Sequence, residues 1–256
     1  MSITSRIMAH MVAFYPDRQG SLEVARGLAD GGCAYIELQF PFSDPTADGP
    51  DIQRACSAAL EAGFTVDAGF ELASAICREV TVPLFIMSYA NLLFTRGMKR
   101  FLADARTSGA RGVIVPDLPP DYDEGLFKRA AELGLAAVPV LSPSMRDARL
   151  SRVGELRTEF LYVTLRTGTT GSFTEVDSPG LAFLSRVARM DHGRQVKILG
   201  GFGVSTREQV EAFSPHVHAV VVGSALVRVV AAGGDIGGGV KQKVLVLRGG
   251  ESGSAA

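Results

Sequence analysis

Eight short apolar runs, the even alternation of each run with a segment of helical period, and the lack of a Pro- or Ser-rich linker predict a single-domain (β/α)8 TIM barrel for this 256-residue chain. The runs begin at His10 (HMVAFY), Tyr35 (YIELQF), Pro83 (PLFIMSY), Gly112 (GVIVPD), Ala136 (AAVPVLS), Glu159 (EFLYVTL), Val196 (VKILGGF) and Ala219 (AVVVGSA). Near-continuous apolar strands of this kind pair in parallel and are covered on both faces. The segments starting at Ser21, Met98, Asp123 and Ser205 have the 3.6-residue period of amphipathic helices. Gly32, Gly63, Gly109 and Gly134 stand where helix C-caps favour a residue tolerant of positive φ. An open doubly wound sheet is the alternative, but eight units at even spacing favour closure. The barrel is assigned to residues 1–232. From Gly233 the chain turns Gly-rich around a short apolar island, Val244–Arg248, and residues 233–256 are expected to be loosely packed or disordered.

Composition narrows the partners. With 26 basic and 27 acidic residues, the net charge of −1 supplies no long-range field for nucleic acid or an anionic membrane. Any anion must therefore be held locally, by backbone amides or a few side chains. Cys33, Cys56 and Cys77 fit no metal spacing and read as free thiols in a reducing compartment. No apolar leader segment precedes a cleavage site, and no run reaches the roughly 18 apolar residues of a spanning helix. The expectation is a cytoplasmic chain without a metal site. His10, His192, His216 and His218 lack metal spacing; His218 reads as packing or cap, and His10 is left open as a residue that could face the barrel. Neither a G-x-S-x-G nucleophile turn nor a G-x-G-x-x-G dinucleotide turn is present where it would act.

In a barrel of this type, function sits on the loops at the C-terminal ends of the strands. Glu37 lies inside an otherwise apolar and aromatic run, and it projects inward if Ile36 and Leu38 project outward. Burying a carboxylate without compensation is costly, so it needs a partner or a task. Asp48 follows in a Pro- and Gly-rich loop, with Asp44 between them. Two carboxylates at a strand end can divide acid and base roles. A structural Glu37, with Asp44 and Asp48 as turn and cap residues, explains the same pattern. The loop Leu165–Ser172 is polar and Gly-containing, suited to closing over a ligand or to being an ordinary loop. Glycine-bearing turns at Leu199–Thr206 and Val220–Val227 follow the last two strand runs, where such barrels commonly hold phosphate.

The run Glu37–Pro50 (ELQFPFSDPTADGP) closely resembles the E-L-G-x-P-F-S-D-P-x-A-D-G-P signature of tryptophan synthase alpha chains. MSYANLLF, VPDLP, RTGTTG, GGFGVST and VGSALV are similar to that family's later segments in the same order, so the likeness runs from about Met8 to Val230. The resemblance implies retro-aldol cleavage of indole-3-glycerol phosphate to indole and glyceraldehyde 3-phosphate. It implies Glu37 as catalytic acid/base, Asp48 as acceptor of the indole N–H, and Tyr162 beside Glu37. Gly171, Phe202, Gly203, Gly223 and Ser224 match phosphate-binding positions. Ile114, Leu141, Val221 and Thr170 match the indole pocket and its closing loop, with Phe202 also in the cage. The implied partner is a tryptophan synthase beta subunit in an alpha2beta2 heterotetramer, docked at Pro41, Asp44 and Asn91. Pyridoxal phosphate is implied only in that partner, and no cofactor in this chain. Gln39 and Phe40 depart from the usual Gly and small aliphatic residue, Phe14–Asp17 from the usual Gly-Asp-Pro turn, and His10 from an apolar pocket position. Three other readings are carried: a non-catalytic or weakly active ligand-binding subunit regulating a beta partner, a free-standing lyase, and another phosphate-binding barrel such as an isomerase or a ring-forming synthase. The synthase would need a lysine acid in the barrel, for which Lys197 is the strand candidate.

Overall fold

The structure is a computed structural model that describes residues 5–165, 178–190, 195–201 and 203–250. Thr170, Gly171 and Phe202 lie outside the described residues, as does most of the loop after Leu165. Nine strands are assigned among the described residues: β1 (Ile7–Val12), β2 (Tyr35–Gln39), β3 (Leu84–Met87), β4 (Gly112–Ile114), β5 (Ala136–Val138), β6 (Val140–Leu141), β7 (Phe160–Thr164), β8 (Lys197–Gly201) and β9 (Ala219–Val222). They pair in parallel in the order β5-β4-β3-β2-β1-β9-β8-β7-β6. The two ends of that ladder, β5 and β6, are neighbours in the chain on either side of Pro139. The sheet therefore comes round on itself as a nearly closed TIM barrel. Proline has no N–H to give a ladder, which splits the fifth run; the Pro139 carbonyl still accepts the Tyr162 N–H at 2.9 Å.

The first strand is a correction. It begins at Ile7 rather than His10, so His10 stands inside it and Phe14 lies in the following turn. That turn keeps a positive φ of 64° at Phe14, although no glycine is present. A side chain there costs about 1–2 kcal/mol of backbone strain. The Phe14 ring meets Phe64 edge-on at 5.5 Å, packing that offsets the strain.

Strand alternation sorts the apolar residues into two layers. Ile7, Ala9, Ile36, Leu38, Ile86, Val113, Val163 and Val220 pack outward under the helices. Met8, Phe85, Ile114, Val138, Phe160, Leu199 and Val221 fill the barrel. Glu37, between two outward residues, is thereby turned inward. Phe40 takes its place outside, where Phe64, Phe70 and Phe101 surround it at 5.1–6.1 Å, so the large residue finds an aromatic pocket. At the N-terminal end Tyr35, Phe85 and Phe160 meet edge-to-face at 5.2–5.7 Å and plug the barrel. His218 Nε2 lies 2.9 Å from the Tyr35 hydroxyl there, as packing predicts. What remains open is the C-terminal end.

The described part of the Gly-rich stretch, 233–250, is a second correction, while 251–256 lie outside the described residues. Ile236–Arg248 forms a helix, capped by Asp235, whose carboxylate accepts the Gly238 N–H at 2.9 Å. Val240, Val244 and Leu247 recur at helical spacing and are buried against the helix Arg18–Asp30. Gly27 and Gly237 let the two backbones close up: a Cβ on Gly27 would sit 2.2 Å from the Gly237 carbonyl oxygen. Here glycine serves close packing rather than disorder.

Candidate active site

A cavity of about 250 Å³ opens at the C-terminal ends of the strands, lined by residues of β1, β2, β3, β4, β6, β7 and β9 and of the turns that follow them. Glu37 reaches it from β2 and Asp48 from the loop after that strand, each only 4% exposed. Tyr162 lines the same wall from β7, Ile114 and Val221 supply apolar surface, and Gly203, Gly223 and Ser224 come from the turns after β8 and β9. The structure brings these expected residues to one space. Leu141 is the exception: it is fully buried in the outer layer, and Val140 lines the cavity in its stead. Register explains the shift, because Val140 is the partner of inward-facing Tyr162 and Leu141 that of outward-facing Val163.

Asp48 is held by its surroundings. Gln39 Nε2 donates to Oδ2 at 2.7 Å and the Tyr89 hydroxyl donates to the same oxygen at 2.8 Å. Tyr89 also accepts the Ala47 N–H at 3.1 Å, and Gln53 Nε2 donates to the Asp48 carbonyl at 2.8 Å. The loop is thus pinned before the helix Pro50–Glu61 begins. Burial pushes the Asp48 carboxyl above its ordinary range, against the opposing pull of the His10 charge and of the Gln39 and Tyr89 hydrogen bonds. Tyr162 is pushed well above its ordinary value by burial and by the Glu37 and Asp48 charges, so it acts as a neutral hydroxyl.

Glu37 has one polar neighbour that sequence reasoning left undecided: His10 Nδ1 lies 2.8 Å from Oε2. Burial alone would lower His10, but the hydrogen bond to Glu37 and the charges of Glu37 and Asp48 raise it above its ordinary value. Gln39, noted only as a departure, and Tyr89 were missed as site residues. Their roles come from contacts across the loop, which no local pattern encodes.

The turn after β9 ends at Gly223, which caps the helix Ser224–Ala231. The Ser224 hydroxyl is buried and has no hydrogen-bond partner among the described residues, and it lines the cavity at that helix N-terminus. Backbone amides and a spare hydroxyl in this position suit an anion. Gly203 adopts φ +76° in the turn after β8. Among the three expected docking residues, Asp44 and Asn91 are exposed while Pro41 is buried. Lys197 lies at the N-terminal start of β8 and pairs with Glu159 at 2.9 Å, away from the cavity, which removes the lysine a ring-forming synthase would need. No cluster of three His, Cys, Asp or Glu suited to a metal ion occurs among the described residues.

The geometry agrees with what the chain resembles. A family model described as tryptophan synthase alpha chain matches residues 4–249. The tryptophan synthase alpha chain of Helicobacter hepaticus is 34% identical over 232 residues, covering 88% of this chain and 86% of that protein. The structure of Mycobacterium tuberculosis tryptophan synthase is similar with a TM-score of 0.87 at 28% identity, over 97% of this chain and 93% of that one. A chain of the tryptophan synthase a2b2 complex from Pyrococcus furiosus gives a TM-score of 0.85 at 33% identity, over 97% of this chain and 99% of that one. With both sequence and fold matched over nearly their whole length, the chain belongs to the tryptophan synthase alpha chain family.

Proposed function

We propose that this chain cleaves indole-3-glycerol phosphate to indole and glyceraldehyde 3-phosphate, as the alpha subunit of a tryptophan synthase. Glu37 delivers a proton to indole C3, and its carboxylate then takes the proton of the adjacent glycerol hydroxyl. The carbon–carbon bond breaks, its electron pair returns to the indole ring, and the hydroxyl carbon becomes the aldehyde. One proton moves from oxygen to carbon, so a single carboxyl closes the balance. Asp48 accepts the indole N–H and stabilises the positive charge that the ring carries while C3 is protonated. Gln39 and Tyr89 support this role, since both donate to one Asp48 oxygen and so favour an acceptor carboxylate. Tyr162 packs beside Glu37; Ile114, Val221 and Val140 hold the ring. Gly203, Gly223 and Ser224, with Gly171, Phe202 and Thr170 of the loops, receive the phosphate and cover the ligand.

The observation that carries this reading is the pair of buried carboxylates on one cavity that also holds, at a helix N-terminus, a buried hydroxyl without a partner among the described residues. The partner is a beta subunit in an alpha2beta2 assembly, which carries the pyridoxal phosphate; this chain's own steps use no cofactor. The docking face is proposed at Pro41, Asp44 and Asn91, of which Asp44 and Asn91 are exposed. The chain works in the cytoplasm; no helix among the described residues is long and apolar enough to cross a membrane. Indole release from indole-3-glycerol phosphate, measured for the purified chain alone and with a beta subunit added, tests the assignment. Release that rises with the partner is expected. No release under either condition would contradict it.

A further inference from the structure

We propose that His10 is a positioning residue of this reaction, clamping one oxygen of Glu37 so that the other takes and returns the proton. The inference rests on Glu37 as the acid/base. His10 and Glu37 are register partners on adjacent strands β1 and β2, and both turn inward, each 4% exposed. With Glu37 as carboxylate, the 2.8 Å contact runs from the Nδ1 N–H to Oε2. Nε2 is buried and has no partner among the described residues, so the ring's only polar tie there is to Glu37. The imidazole also abuts the phosphate side of the cavity: a Cβ built on Gly223 would meet His10 Cβ and Cγ at 3.6 Å. His10 thus stands between the acid/base and the turn expected to hold phosphate.

A free carboxylate samples several rotamers, and few of them point at both C3 and the hydroxyl. A stiff ring bonded to Oε2 selects an orientation in which Oε1 is the oxygen presented to the ligand. The groups facing His10 are Glu37 beside it, Asp48 from the following loop and Tyr162 from β7, with Gly223 on the remaining side. The two carboxylates favour its protonated form and strengthen the clamp. A histidine kept only to fill space would need no bond to the one carboxylate that moves protons.

The test uses His10→Phe, which keeps a ring of similar size without a donor, and His10→Asn, whose amide can still donate to Oε2. Both are assayed for indole release in the assembled enzyme with a beta subunit. Misplacing a reacting group by about 1 Å can cost about 10²-fold, so kcat is expected to fall about ten- to a hundred-fold in His10→Phe with KM nearly unchanged. His10→Asn is expected to recover most of that loss. By NMR, the His10 titration midpoint is expected to fall in Glu37→Gln, which reads the contact without turnover and stands even if His10→Phe fails to fold. An unchanged kcat in His10→Phe, a loss confined to KM, or the same His10 midpoint with and without the Glu37 carboxylate would overturn the clamp. If Glu37→Gln is inactive while His10→Phe matches wild type, only the clamp fails. If Glu37→Gln itself turns over normally, the acid/base reading fails and takes the clamp with it.

Discussion

At the residue scale, Asp48 shows how function and stability pull apart. Burial raises its pKa in the folded chain, so the protonated form fits the fold better than the ionised form that the reaction needs. A folded pKa above the unfolded one contributes stability that is fullest below the unfolded pKa and is lost as pH rises through the folded pKa. Asp48→Asn is therefore expected to melt no lower than wild type at pH 7, while kcat falls about 10²- to 10³-fold, the usual loss of a charge-stabilising group. Activity of the wild type requires the carboxylate, so its acid limb should lie above the ordinary carboxylate range and vanish from the residual activity of the variant. A variant with wild-type kcat and the same acid limb would remove Asp48 from the chemistry. Glu37 was legible because alternation in β2 leaves a lone carboxylate facing inward between Ile36 and Leu38. Leu141 was carried over from the family resemblance alone; in the structure Val140 lines the cavity in its place, because it is Val140 that pairs with inward-facing Tyr162 after the break at Pro139. His10 stayed undecided because the first strand was begun three residues late. Gln39 and Tyr89 were illegible for another reason: each acts through a contact with Asp48 that only the folded loop creates.

At the element scale, the strands follow from apolar period, and the helices Arg18–Asp30, Pro50–Glu61, Met98–Thr107, Leu126–Glu132 and Arg207–Phe213 from helical period or glycine caps. Gly32, Gly63, Gly109 and Gly134 all take positive φ, from 69° to 88°, at the ends where the sequence places them. The terminal helix Ile236–Arg248 was hidden by composition. Three consecutive glycines at its start, Gly237, Gly238 and Gly239, look like disorder when counted, yet Gly237 lies where the backbone meets Gly27. Val240, Val244 and Leu247 already carried the helical spacing, and Asp235 the cap. Leu247 is fully buried, so Leu247→Ala is expected to cost about 2–5 kcal/mol in urea unfolding. A change within experimental error would mean that the helix lies loosely on the barrel.

At the scale of the whole molecule, the barrel is polar in one direction. Aromatic rings plug its N-terminal end, and the paired ions Lys197–Glu159 lie beside them. The carboxylates, the loop hydroxyls and the glycine turns gather at the other end, where seven of the nine strands contribute to one cavity. This asymmetry was legible as a rule of the fold once eight alternating units had been recognised. Closure through Pro139 was not, because it depends on how β5 and β6 pair on opposite sides of the ladder. The measurement that bears most directly on Glu37 as the proton carrier is kcat for indole release by Glu37→Gln assembled with a beta subunit. A loss of about 10²- to 10⁴-fold, with the melting temperature and the partner's own reaction preserved, is the predicted result. Release at the wild-type rate would contradict it and return the carboxylate to a structural role.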